Sequence, residues 1–463
     1  MSHDALVLGG GLSGLACARD LRAAGHDVLL CEAADHAGGV VGSDRVDGFL
    51  FERGPNTVLA SSLEFRKLVH DVGLDERLVA SRPEAKLRYL FKDGGLIALP
   101  TGPLEFLKSR VLSGRGKRRL MSEPLRRFRE PDEEPTLEDF LCERLGPEAA
   151  RTMAGAFVRG VYAAELSQLG AASAFPRLWD LAREHGGLVR GFLARRKNKK
   201  PVPPGPEFRR GSLLSFSEGL RELIERLALE LGDRLRTKAP VAAIERADSG
   251  YECRLESGET IRARQLVLAV PAPVAARLAG PLHAGAGSIL GAIEHARLTL
   301  VHLGFDASDW ASFPSGFGYL VPPTEEGKDG VPGVLGTIFN SNLFEGRTPE
   351  GSLSVTSFYR GSDIEHLAEE GLVETAASDL ALGVGQGTAP RVRAFRVQPW
   401  NDVIPRYAPG HAARMRELEG ALASSLPGFH LAGNYTRGVS VEQVIATGRR
   451  VAQDVIRAIG VSS

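Results

Sequence analysis

Ala5-Leu6-Val7-Leu8-Gly9-Gly10-Gly11-Leu12-Ser13-Gly14 is the stretch that decides the fold. A four-residue apolar run reads as a buried strand, the glycines as a tight turn, and Leu12 to Ala24 as a helix with Leu15, Ala18 and Leu21 on its inner face. Gly25 closes that helix as a C′ glycine, and Val28-Leu29-Leu30-Cys31 forms the next strand. This is the opening of a parallel β-α-β fold. The spacing of Gly9, Gly11 and Gly14 is that of a dinucleotide-binding turn. The first glycine permits the turn, the second lets a diphosphate approach the backbone, and the third lets the helix pack on the strand. The helix start offers unpaired N–H groups to phosphate oxygens. Glu32 ends the second strand, where its carboxylate can accept hydrogen bonds from ribose hydroxyls.

The glycine motif does not by itself choose between NAD and FAD. The residues after the acid, Glu32-Ala33-Ala34-Asp35-His36-Ala37-Gly38-Gly39, resemble the extended fingerprint of FAD-containing oxidases of the amine-oxidase type, in which the Gly-Gly turn brings N–H groups to the diphosphate. The chain departs from those oxidases at Val40, where they usually carry Arg. The far end of the chain points to FAD independently. Gly433-Asn434 ends a strand and Gly438-Val439-Ser440-Val441 enters a helix. Such a helix start carries about half a positive charge, suited to the N1/O2 edge of an isoalloxazine.

Outward from these two ends the chain changes character. Leu87-Arg88-Tyr89-Leu90-Phe91 alternates and then turns at Asp93-Gly94-Gly95, which predicts a hairpin strand. Residues 104–210 read as helical. They carry one basic cluster from Lys108 to Arg129 and a second of Arg195, Arg196, Lys197, Lys199 and Lys200. An amphipathic helix spans Gly219 to Leu231, a buried strand Leu266 to Val270, and a mostly antiparallel sheet residues 296–400. A last helix runs from about Val441 to Ile459.

Lys+Arg and Asp+Glu each number 57, so no net field favours nucleic acid as a partner. Cys17, Cys31, Cys142 and Cys253 form no Cys-x-x-Cys pair, and the histidines show no metal-ligand spacing. The first strand leaves no room for a signal peptide, and no apolar run is long enough to span a bilayer. These features point to the cytoplasm, with attachment to a membrane surface left open.

Several further segments together resemble the protoporphyrinogen oxidase family of haem synthesis. They are Asp47-Gly48-Phe49-Leu50-Phe51-Glu52-Arg53-Gly54-Pro55-Asn56, Leu87 to Phe91 through Leu99-Pro100-Thr101-Gly102, and Gly160-Val161-Tyr162-Ala163-Ala164 with Phe175-Pro176. Ser215-Phe216-Ser217-Glu218-Gly219-Leu220, Gly316 to Pro322, Leu335-Gly336-Thr337-Ile338-Phe339 and the Leu431 to Val441 region complete the set. The resemblance covers residues 5 to about 458. It implies an α/β chain, α+β overall. Its parts are a Rossmann-type FAD-binding domain (1–86, 211–277 and 405–463), a mixed-sheet substrate domain (87–103 and 278–404), and a helical, basic, membrane-associating insertion (104–210). It implies FAD, molecular oxygen as acceptor, a porphyrinogen substrate, and peripheral attachment to the inner face of the cell membrane. It leaves a homodimer open.

Site residues follow by position. Arg88 corresponds to the residue that pairs with a substrate propionate, Leu320 to an apolar clamp, and Phe339 to an aromatic on a pyrrole ring. The carbonyl at Ala164, where the family usually has Gly, corresponds to the acceptor for pyrrole N–H groups, and Asn56 sits near the flavin edge. The implied flavin contacts are Gly9, Gly10, Gly11, Leu12, Ser13, Gly14, Glu32, Ala33, Gly39, Val40, Gly54, Pro55, Asn56, Thr57, Val241, Asn434, Val439, Ser440 and Val441. Without the resemblance, Arg88 reads as an exposed arginine on a half-buried strand, and Phe339 as core. A meso carbon between electron-rich pyrroles is a good hydride donor, which needs a flavin and an apolar cavity and no activated nucleophile. Coproporphyrinogen oxidation, another oxidase of this superfamily, and a non-catalytic FAD-binding paralogue remain open from the sequence.

Overall fold

The computed structural model describes residues 2–195, 203–209 and 211–461. Ser2–Leu8 lies at the centre of a seven-stranded sheet, parallel to Val28–Cys31 on one side and to Thr260–Leu268 on the other. Phe429–Leu431 adds in parallel to Thr260–Leu268, so the C-terminal segment completes the sheet that the N-terminal segment begins. A meander of Val241–Ala247, Gly250–Leu255 and Thr260–Leu268 extends it antiparallel. The central strands are buried on both faces, which is why they read as unbroken apolar runs. Leu12–Ala23, Arg221–Leu231 and Val441–Val461 cover one face, around Leu15, Leu223, Leu227 and Val451. Ala272–Ala279, Ala284–Gly291 and His411–Ser425 cover the other.

A second seven-stranded sheet holds Tyr89–Lys92, Gly95–Ala98, His295–Asp306, Gly318–Leu320, Gly336–Ile338, Ser352–Arg360 and Ala394–Pro405. The predicted hairpin is present, turning at Asp93 and Gly94 with φ of 54° and 79°. Residues 296–400 are not all strand. Glu369–Val384 is a helix, and its buried Leu372, Ala376, Ala377 and Leu380 lie in one apolar cluster with Val301, Leu303, Phe305, Tyr319, Val355 and Tyr359. That cluster defines a back face of the sheet. Strand alternation turns Leu298, Leu300, His302, Leu320, Ile338, Thr356 and Phe358 to the opposite, front face. Part of the front face is closed by the strand Phe49–Glu52 of the N-terminal region. Phe51 stacks on His302 with ring centroids 5.1 Å apart, and Phe49 lies so close to Gly304 that a Cβ there would fall 2.6 Å from the ring.

Between residues 103 and 195 the chain is helical as expected, with Pro103–Lys108, Gly114–Met121, Leu137–Leu145, Gly155–Tyr162, Pro176–His185 and Leu188–Arg195 among its helices. Its core contains Phe140, Tyr162 and Trp179 and a fully buried pair, Glu123 and Arg144, at 2.5 Å. Glu123 also accepts the backbone N–H groups of Leu188 (2.8 Å) and Val189 (3.1 Å), so one carboxylate ties three segments together. Arg196 to Lys200 lie outside the described residues, so the second basic cluster has no structural account. Boundaries moved at several places; the strand predicted from Leu87 starts at Tyr89, which leaves Arg88 just before it. The amphipathic helix starts at Arg221, because Gly219 takes a positive φ of 84° that ends the preceding turn. The strand predicted at Leu266 to Val270 begins earlier, at Thr260, and stops at Leu268.

A candidate flavin and substrate site

The three motif glycines occupy three different environments. Gly9 has φ 104°, and a Cβ there would meet the Ala269 carbonyl oxygen at 2.4 Å. Gly14 lies so near the turn that a Cβ would fall 2.0 Å from the Gly9 carbonyl oxygen, which fixes the helix against the strand. A Cβ on Gly11 would meet nothing within 4 Å. Gly11 is also the N-cap of the Leu12–Ala23 helix, and no side chain caps the first-turn N–H groups. A diphosphate fits there by shape and by charge.

Several of the other positions named from the sequence lie close to that turn. The Gly38 N–H donates to the Gly10 carbonyl at 2.8 Å, and Gly39, at φ 58°, would bring a Cβ to 3.5 Å from the Gly11 Cα. Glu32 accepts the Gly10 N–H at 2.5 Å and the Ala34 N–H at 2.8 Å, which aims its carboxylate at the turn beside exposed Ala33. The Ala239 N–H donates to the Glu32 carbonyl at 2.9 Å and so brings the Val241 strand alongside. Gly54 abuts Val40, whose carbonyl oxygen would lie 2.2 Å from a Cβ at residue 54. Pro55, Asn56 and Thr57 follow it, half-buried.

From the other end of the chain, the Ser13 hydroxyl donates to the Ala432 carbonyl at 2.5 Å, and Gly448 packs against Ser13. Asn434 is held by its side-chain amide on the Val403 carbonyl at 2.8 Å and by the Tyr407 hydroxyl, which donates to its own carbonyl. Ser440 caps the Val441–Val461 helix. Its hydroxyl accepts the Gln443 N–H at 3.3 Å while the Gln443 side chain accepts the Ser440 N–H at 3.2 Å. The N–H groups of Val441 and the next residue remain free of this cap. The positions expected to contact flavin therefore converge from both ends of the chain on one region.

The substrate positions divide. Arg88 stacks on Phe317, its guanidinium carbon 5.2 Å from the ring centroid, and has no carboxylate partner among the described residues. Its surface is open, yet the apolar protein beside it lowers its pKa from the ordinary arginine value. Leu320 points from the front face into the Gly155–Tyr162 helix. Added Cβ atoms on Gly160 and Gly336 would fall 2.5 and 2.7 Å from its δ carbon, so both glycines leave the room Leu320 fills. Ala163 takes φ 46° at the end of that helix, and among the described residues no group donates to the Ala164 carbonyl. The Ala164 methyl is buried in the helical cluster that also takes in Tyr407 and Val439.

Phe339 is not brought together with these residues. It is fully buried on the back face, edge-on to Phe313 at 4.9 Å and tilted to Tyr319 at 6.1 Å. The cause is strand parity: Leu320 and Ile338 point forward, so Tyr319 and Phe339 point back. The front-face residues beside Leu320 are Ile338 and Phe358, both half-buried, and Gly336 stands between Leu320 and Phe358 in the cross-strand row. Sequence reasoning missed both, because their facing depends on the register among Gly318–Leu320, Gly336–Ile338 and Ser352–Arg360. Asn56 lines a small hollow of about 10 Å³ with Glu52, Asn340 and Arg347 at the junction of the two sheets.

A dinucleotide cradle built from both chain ends, in a chain whose second sheet has an apolar front face and, among the described residues, an Arg88 guanidinium without a carboxylate partner, fits an FAD-dependent oxidoreductase. Residues 12–456 match the model of the flavin-containing amine oxidoreductases. The chain belongs to that family. It is 31% identical to the human (Homo sapiens) protoporphyrinogen oxidase, over 98% of this chain and 99% of the human one. It is 23% identical to the coproporphyrinogen III oxidase of Bacillus subtilis (strain 168), over 97% of each chain. A solved structure from Exiguobacterium sp. 255-15, provisionally named a protoporphyrinogen oxidase, superposes with TM-score 0.82 at 25% identity, covering 98% of this chain and 99% of that one.

Proposed function

We propose that the chain oxidises protoporphyrinogen IX to protoporphyrin IX with molecular oxygen as the final acceptor. The observation that carries this reading is the front face of the second sheet. It is apolar through Leu320, Ile338 and Phe358, and its one end bears Arg88, a guanidinium without an anionic partner among the described residues. A tetrapyrrole has the same division, an apolar ring system with carboxylates at one edge. Full-length likeness to the human enzyme supports it.

Bound FAD would supply the two-electron acceptor, held by Gly9 to Gly14, Glu32, Gly39 and the Val441 helix start. The protein's own groups then do four things. Arg88 pairs with a propionate and fixes the ring's orientation. Leu320 and Phe358 enclose the macrocycle and exclude water. The Ala164 carbonyl accepts pyrrole N–H hydrogen bonds. Asn56, beside the cradle, borders the reacting edge. Phe339 supports this face from behind without touching substrate.

The coproporphyrinogen reading is favoured by the likeness to the Bacillus enzyme, which extends over nearly all of both chains. That substrate carries four propionates, and Arg88 is the cation the front face presents unpaired, so we rank it second. Turnover of each porphyrinogen by the purified flavoprotein, followed by porphyrin fluorescence, decides between them. Faster turnover of coproporphyrinogen would reverse the ranking. Failure with both would remove the porphyrinogen reading.

We further propose the three-part division of the chain given above, cytoplasmic location, and docking of the helical insertion on the inner face of the cell membrane. Leu104, Leu107, Met121, Leu125, Phe192 and Leu193 are exposed there, 52 to 85% open. They stand among exposed Lys108, Arg115, Arg118, Arg126, Arg127 and Arg129. No helix among the described residues is long and apolar enough to cross a membrane.

A further inference from the structure

The segments that carry Ala164, Leu320 and Phe358 come from distant parts of the sequence, and four charged side chains join them. Arg159 donates to Glu165 at 2.8 Å and also pairs with Glu326. Arg360 donates to the same two carboxylates, to Glu165 at 2.9 Å and to Glu326 at 3.2 Å. The four groups form a closed ring of alternating charge. Asp363, 3.8 Å from Arg360, is the only other charged group paired with a ring member among the described residues.

Each ring member lies close in sequence to a front-face group. Glu165 follows Ala164 directly, Arg360 is two residues past Phe358, and Glu326 sits in the loop that leaves Leu320. Arg159 accepts the Ala163 N–H on its carbonyl at 3.0 Å while its guanidinium holds Glu165, so both ends of the left-handed Ala163–Ala164 turn rest on one residue. The loop itself is pinched at its base by the Val321 N–H donating to the Leu335 carbonyl at 3.0 Å, and Glu326 anchors its middle. Arg159 is only 4% exposed, whereas Glu165 and Glu326 are 38% and 49% exposed. The ring is therefore anchored in protein on one side and reachable by salt on the other. Isolated surface pairs contribute little, but a network with a buried member resists removal of a partner, because the buried guanidinium would be left without an anion.

We propose that Arg159, Glu165, Glu326 and Arg360 act as a clasp that sets the width of the substrate cleft, holding the 321–335 loop and the Ala163–Ala164 turn against the Phe358 strand. They are positioning residues: none touches the macrocycle, and they act through Leu320, Ala164 and Phe358. The function of the clasp rests on the porphyrinogen reading of this cleft. Opening it loosens contacts made equally by substrate and transition state, so it raises KM and leaves kcat near its wild-type value.

The test uses the full-length flavoprotein and two variants, Glu326→Gln at the most exposed member and Arg360→Gln on the Phe358 strand, with the double variant. Each single variant is expected to raise KM for protoporphyrinogen roughly five-fold, with the double variant no worse than the poorer single one. Wild-type KM should rise more steeply with added salt than the double variant's, which keeps only the salt dependence of the Arg88–propionate pair. Amide hydrogen exchange is measured on the same proteins without substrate. Residues 163–165 and 321–335 should exchange faster together in either variant, with thermal midpoints little changed. Unchanged exchange in those segments, or KM effects that multiply in the double variant, would overturn the clasp. If exchange responds as expected but no porphyrinogen is turned over by the wild type, the clasp stands as a structural lock and the porphyrinogen reading fails.

Discussion

A guanidinium stacked on an aromatic ring, open to solvent and without a carboxylate partner among the described residues, is placed to receive an anion from outside the chain. Arg88 is in that position above Phe317. Its pairing with a propionate would be far from the reacting meso carbon and equal in ground and transition states. Arg88→Ala is therefore expected to raise KM by the roughly 1.5–3 kcal/mol of a charge-assisted hydrogen bond, tenfold or more, with kcat within about two-fold. Steady-state kinetics check this, and an unchanged KM would take Arg88 out of the site. Arg88 was legible in the sequence because the alternating strand and its hairpin turn are local features. Phe339 was not, because a side chain's face follows from pairing with a strand far along the chain, and parity turns it to the back cluster with Tyr319.

At the scale of elements, the glycine-rich turn offers a contrast within four residues. Gly11 sits at φ −67°, a conformation any residue adopts, and an added Cβ would enter open space. Gly14 would place one 2.0 Å from a backbone oxygen. Gly11→Ala is expected to fold with near-wild-type stability in the apo form yet lose most of its FAD, since the methyl takes diphosphate space. Gly14→Ala is expected to lose stability itself, by about 1–3 kcal/mol or more, as the helix is forced from the strand. Flavin content and apo-protein denaturation midpoints separate the two. A Gly11→Ala protein that keeps its flavin would move the diphosphate elsewhere. This region was the most legible in the sequence because its whole logic lies within a short run from Ala5 to Glu32. The Glu369–Val384 helix was not legible: its alanines and leucines pack under strands that a local pattern does not reveal.

For the whole molecule, burial of neutral histidines ties stability to pH. Desolvation lowers His302 from 6.5 to about 3 and His430 from 6.5 to about 4. Below 6.5 the unfolded chain binds protons that the folded chain refuses, so stability rises with pH there and is lost as pH falls from 6.5 toward the folded values. Each of these histidines contributes a slope of about 1.4 kcal/mol per pH unit. Denaturation free energies between pH 7.5 and 5 are expected to fall below about 6.5, before the carboxylates titrate. His430→Gln should remove one proton's worth of slope, and a flat profile in that window would contradict the account. The helical insertion adds a surface prediction. Vesicles rich in anionic lipid should sediment the protein at low salt, each basic residue contributing roughly 1 kcal/mol. Leu125→Glu should weaken this without changing turnover of soluble substrate. No sedimentation even at low salt would remove membrane docking.

On the porphyrinogen reading, this flavoprotein takes six electrons from its substrate through a cofactor that accepts two at a time. No second redox centre is built from the described residues: the four cysteines are unpaired, and no His, Cys, Asp or Glu cluster is placed to hold a metal. With oxygen as the proposed acceptor, it would be drawn on three times for each porphyrin. The direct measurement is oxygen uptake and hydrogen peroxide release recorded together with porphyrin fluorescence during turnover of protoporphyrinogen. About three O2 consumed and three H2O2 released per porphyrin formed are expected, as the electron balance of a two-electron cofactor requires. A ratio near one, or no porphyrin formed above the flavin-free control, would contradict that expectation.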